Sequence, residues 1–235
     1  MNPYSKLKTR PSPLPAALLL IALASLYAAP ALAADKKAPP AKPASEYPAN
    51  DGHPKEHVTN AIDPCDDPHD CPYLRLPYNA HGFIPVRVIV TNEGETAVTL
   101  DDARFQFISA NNDKIPAANL EDLNRRLSAY HRNETKIPLI PITIHHTPID
   151  KKIVQDDQDF GFKSTIVNAH STLDGYLYYD IKDLDDPALK GAQFYVKMIH
   201  TLDQKNELFA FTISFDKWLA QKPPPQPKTP PPARK

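Results

Sequence analysis

The placement of proline sets the limits within which this chain can fold. Proline lacks a backbone N–H and has a fixed φ, so helix interiors and central strands disfavour it. The chain carries 27 prolines against 6 glycines, and many of the prolines gather at its two ends. The stretch from Ala34 to Pro54 holds Pro39, Pro40, Pro43 and Pro48 among Ala, Lys and Asp, and residues 223–233 contain PPPQP and TPPP. Such tracts favour extended polyproline II and bury little apolar surface. Residues 34–77 are therefore expected to be a Pro-rich linker, and 220–235 a disordered, Pro-rich basic tail. What remains, 78–219, is a normal size for one domain with its own core.

The first residues have a different character. Lys6, Lys8 and Arg10 form a positive start, Ala16 to Tyr27 is a nearly unbroken apolar run, and Ala31-Leu32-Ala33 supplies a small-x-small pattern. That order is the signature of a cleavable secretory signal over residues 1–33. The apolar run is too short for a membrane span, which needs about 20 residues. No paired arginines precede it, so the general secretory route fits, with a periplasmic or extracellular destination and no transmembrane segment after cleavage. Charge divides unevenly along the rest. Residues 34–215 hold 19 basic and 27 acidic groups, a net of −8, while 216–235 carry a net of +4. An acidic body does not suit a phosphate backbone, which argues against nucleic acid as a partner.

Period-two alternation marks the strands. Val86, Val88 and Val90 share one face of a strand ending at Asn92, and Asn92-Glu93-Gly94-Glu95 reads as a turn into a second strand over Ala97–Leu100. This pattern predicts a hairpin. Arg104–Ile108 is a third strand, with Phe105 and Phe107 on one face. Three more candidates are Gly175–Ile181, Gln193–Met198 and Leu208–Phe215, the last with Phe209, Phe211, Ile213 and Phe215 in phase. Between them, a helix opening near Pro116 carries the stripe Leu120, Leu123, Leu127 and Tyr130. Ile137 to Asp150 alternates, but Pro138 and Pro141 confine it to a sheet edge or an extension. Asp150, Asp156, Asp157 and Asp159 are expected in a solvated loop. The whole predicts a mainly β, antiparallel sandwich with one inserted helix.

The sequence Val86-x-Val88-x-Val90-x-Asn92-x-Gly94, followed by Val98-x-Leu100 and Phe105-x-Phe107, resembles the opening of small exported bacterial immunoglobulin-like domain proteins of unassigned function. The later Gly175-x-Leu177-x-Tyr179-Asp180 is similar to a strand that follows a long middle insertion in such domains. The resemblance covers about Phe83–Phe215 and departs over Asp113–Asn168. It implies an exported immunoglobulin-like β-sandwich that binds a partner or supports an assembly, and it carries over no catalytic residue.

Chemistry-bearing residues are few. Cys65 and Cys71 are the only cysteines, and in an exported chain an even count reads as a disulfide. A loop this short would contribute roughly 2 kcal/mol. The rival is a metal site drawing on His69 and nearby acids; further metal candidates are His145, His146, Asp156, Asp157 and Asp159. His53 and His57 lie in the proline-rich approach, and only one methionine remains after Met1, against a copper carrier. Tyr176, Tyr178 and Tyr195 are candidates for an aromatic contact face. The chain has no G-x-S-x-G, no H-E-x-x-H and no phosphate loop. The expectation is a non-enzymatic exported domain without a cofactor, acting by protein or envelope contact. An exported metal-binding protein is the first alternative, and a carbohydrate-active enzyme with two facing carboxylates the second.

Overall fold

The computed structural model describes residues 37–134, 148–203 and 206–222. Residues 1–33, which read as a signal, the tail beyond Lys222, and most of the Ile137–Asp150 stretch with His145 and His146 lie outside them. The chain is mainly β, with antiparallel sheets and short helices.

The central strand explains the architecture. β3 (Phe83–Asn92) is buried along all ten residues, so both its faces must be covered. It pairs antiparallel with β2 (Val58–Pro64) on one side and β8 (Ser171–Asp180) on the other, and β1 (Ala49–His53) completes a sheet ordered β1-β2-β3-β8. Ile84, Val86, Val88 and Val90 point to the main core. There they meet a second sheet, ordered β11-β9-β5-β6, made of β5 (Arg104–Ile108), β6 (Lys114–Pro116), β9 (Gln193–Lys197) and β11 (Phe211–Ser214). Rings fill the space between: Tyr179 meets Phe194 edge-on at 5.7 Å, and Phe107 lies 5.0 Å from Phe215. A small sheet of β4 (Val98–Thr99), β7 (Ile166–Val167) and β10 (His200–Thr201) closes one end.

The other face of β3 carries Phe83, Arg87 and Ile89. Helices α1 (Leu120–Glu134) and α2 (Ile149–Phe160) cover its Phe83 end. Ala44 and Tyr47 cover Ile89. Between them Arg87, 3% exposed, pairs with Asp174 at 2.7 Å and donates to the carbonyl of Pro39. A short helix, α3 (Phe215–Leu219), ends the described chain.

Several expectations are corrected. Residues 37–77 are not a linker: β1 and β2 lie within them, with Ala44, Ala49 and Ile62 fully buried. The prolines there sit where no donor is needed; Pro43 precedes a 3-10 turn and Pro64 ends β2. The turn at Asn92 is real, but the strand after it does not pair with β3; β4 joins β7 and β10 instead. Buried Asn92 holds this crossing, donating to the carbonyls of Thr96, Val167 and Asn168 and accepting from the Gly94 N–H. Pro116 ends β6 rather than opening a helix, and Asn119 caps α1 by accepting from the N–H of Asp122 at 2.8 Å. Phe209 leaves the expected stripe and stands 79% exposed, because β11 begins only at Phe211. At the C-terminus, Lys222 is not free tail: it lies over the Trp218 ring at 4.6 Å and pairs with Asp66 and Asp70.

Candidate functional site

A groove of about 780 Å³ opens where α1 meets the ends of β3, β6 and β8. Its floor follows from chain crossings. β6 ends at Pro116, and the next residues cross to the first sheet, where the Ala118 N–H donates to the Tyr178 carbonyl at 2.7 Å. Ile115, Ala117, Ala118 and Phe83 thus form an apolar base. The rim is charged. Arg126 grips the Asp180 carboxylate with both guanidinium arms and lies 5.0 Å over the Phe83 ring. Arg125, one residue earlier, points outward with its side chain 80% exposed and a single bond to Asp122 at 3.0 Å. Lys182 faces them from beyond β8. Gly82 positions it: Gly82 accepts from the Ile181 N–H at 2.8 Å and adopts φ +79°, and any Cβ there would lie 2.9 Å from Cβ of Lys182. The rim therefore holds three cations and two carboxylates, each carboxylate engaged by an arginine.

Beside the groove a buried polar seam fixes α2. Asp156 has no exposure, yet it accepts from the Arg75 N–H at 3.0 Å, the Arg75 guanidinium at 2.8 Å and the Tyr78 hydroxyl at 2.9 Å. Arg75 also pairs with Asp159. Burial pushes the Asp156 carboxyl above the ordinary aspartate range, against the pull of the Arg75 and Tyr78 donors. Tyr78, itself buried beside Tyr178 with ring centres 4.5 Å apart, is pushed well above the ordinary phenol range, first by burial and then by the neighbouring Tyr178 and Asp156. The seam is a structural tie, since every charge in it already has a partner.

The candidate residues from the sequence are dispersed. Cys65 and Cys71 form the expected disulfide, with Cα atoms 5.8 Å apart. His69 sits exposed in that loop, its N–H bonded to Asp67. Asp150, Asp156, Asp157 and Asp159 lie on α2 rather than in a loop. Asp156 and Asp159 are bound to Arg75, and Asp157 is exposed. Among the described residues no group of three His, Cys, Asp or Glu side chains is placed to hold a metal ion. Tyr176 and Tyr178 share one face of β8, but that face is core beneath the helices, and Tyr195 belongs to β9 in the other sheet. They form no common surface. The Tyr176 hydroxyl bonds that of Tyr73.

Sequence reasoning missed the groove. In the structure Arg126 reaches across to Asp180, and Arg125 bonds Asp122 at three residues' spacing. No protein family, curated protein or solved structure matches the chain.

Proposed function

We propose that the mature protein is an exported, non-enzymatic domain with an immunoglobulin-like sandwich, that it acts by contact with a protein or envelope partner, and that the groove at α1 is where contact is made. The observation carrying this reading is the chemistry of the groove: an apolar base under a rim whose carboxylates, Asp122 and Asp180, are each held by an arginine. A glycosidase needs two carboxyl groups free to face the scissile bond; here each carboxylate is already bonded to an arginine of the same rim. The Cys65–Cys71 bond supports export, because such bonds persist in oxidising compartments. Two antiparallel sheets across one core, joined by the crossing at Asn92, support the immunoglobulin-like reading. The small third sheet and the helical layer are this chain's departures from it.

Expression of the full chain in a secreting bacterial host tests the proposal. The expected product begins at Ala34, is oxidised, and turns over no glycan, ester or peptide substrate. Retention of residues 1–33 in the cytoplasm, or turnover by the purified product, would overturn it.

A further inference from the structure

Resting on the groove reading, we infer that the groove takes an extended acidic segment of a partner protein. Three observations lead there. First, the body from 34 to 215 carries a net charge of −8, yet the groove rim shows a surplus of cations. Arg125 spends one bond on Asp122 and keeps its other donors toward solvent, and Lys182 is exposed across from it. A guanidinium and an ammonium facing one opening on an acidic surface mark where a carboxylate is welcome, and the surrounding negative field turns away anions that do not reach it. Second, the base is apolar, so the ligand must bring apolar side chains with its acids. Third, Ile115 and Pro116 belong to β6, the last strand of its sheet, with no strand on its outer side among the described residues. An open strand edge beside a groove favours an extended peptide over a lipid or glycan, because main-chain groups can pair along it while alternate side chains take the base and the rim.

The test uses the oxidised mature chain and fluorescence anisotropy with three probes. One is a labelled library of five-residue acetylated peptides alternating Val or Phe with Asp or Glu. The second is the same library with Asn or Gln in place of the acids. The third is vesicles containing phosphatidylglycerol. Two variants accompany them: Arg125→Glu with Lys182→Glu, which reverses the rim, and Ala80→Trp, which fills the opening from an exposed position. Both are checked for an unchanged melting curve. The acidic library should bind at least tenfold more tightly than the amide library. Rim reversal should cost at least tenfold on the acidic library alone, and Ala80→Trp should block both. Equal binding of the two libraries, blocked by Ala80→Trp, would overturn the acidic preference and leave the groove reading intact. Binding that ignores Ala80→Trp, or no binding of either peptides or vesicles, would overturn both. Vesicle binding lost on rim reversal, without peptide binding, would overturn the peptide in favour of an anionic surface.

Discussion

Asp156 ties helix α2 to the segment around Arg75 and Tyr78, and its removal has a calculable cost. In Asp156→Ala the Tyr78 hydroxyl, 1% exposed as a residue, is left without its acceptor, which costs about 2 kcal/mol. The Arg75 peptide N–H loses its acceptor as well, for about 1 kcal/mol. The Arg75 guanidinium keeps Asp159 and reaches solvent, so its loss is about 1 kcal/mol. Against these, a carboxylate no longer has to be buried, which returns about 1 kcal/mol. The expected net is about 3 kcal/mol, a large share of the stability of an ordinary domain. Asp156→Asn should cost only about 1 kcal/mol, because the amide oxygen still accepts from Arg75 and the Tyr78 hydroxyl can turn to accept from the amide nitrogen. Urea denaturation followed by far-ultraviolet circular dichroism measures both. With a slope of about 2 kcal/mol per molar, the Ala variant should lose roughly 1.5 M in midpoint. An Ala variant within about 0.5 kcal/mol of the parent, a spread ordinary for surface changes, would refute the reasoning. So would an Asn variant as damaged as the Ala variant, since charge rather than hydrogen bonding would then govern the seam.

Three other outcomes follow from single residues. Asn60 is fully buried on the core face of β2, and neither of its amide atoms has a hydrogen-bond partner among the described residues; Asn60→Leu should therefore stabilise the protein by about 1–2 kcal/mol in the same urea assay. A Cβ on Gly175 would lie 2.5 Å from the Phe162 nitrogen and 2.6 Å from its ring, so Gly175→Ala should cost about 3 kcal/mol or more and lower the melting temperature markedly. Asp63 is held above the ordinary 3.8 by burial, only partly offset by the Trp218 indole donor and the charge of Arg87. The folded chain binds that proton more tightly than the unfolded chain, so ionised Asp63 subtracts stability above its folded pKa, and the penalty vanishes below 3.8. Asp63→Asn, which keeps an acceptor for Trp218, should melt higher than the parent at neutral pH, with the gap closing as the solution is acidified.

How far the sequence disclosed this structure depended on whether a pattern was purely apolar. β3 was legible because Val86, Val88 and Val90 all face one core. β2 has the same period, but Asn60 stands in its middle and prolines flank it, so it read as linker. α2 has a helical stripe in Ile149, Ile153, Asp156 and Phe160, and one buried aspartate in that stripe made it look like a solvated loop. In both elements the polar residue that hid the pattern is itself fully buried, one unpartnered and the other paired with Arg75. The short strands β4, β7 and β10 are set by tertiary pairing, and two residues carry no periodicity to detect. The groove was not legible at all, because residues 80–83, 115–118, 122–126 and 180–182 converge only through the crossings of three strands and a helix.

The central claim is that partners engage the groove at α1, and the amide spectrum of the isotope-labelled mature chain tests it most directly. On addition of the acidic peptide library, shifts should concentrate at Gly82, Ala117, Ala118, Arg125 and Lys182, saturate together, and vanish in the rim-reversed variant. Shifts concentrated instead around the exposed Leu202 and Phe209, or scattered with no common saturation, would contradict the account.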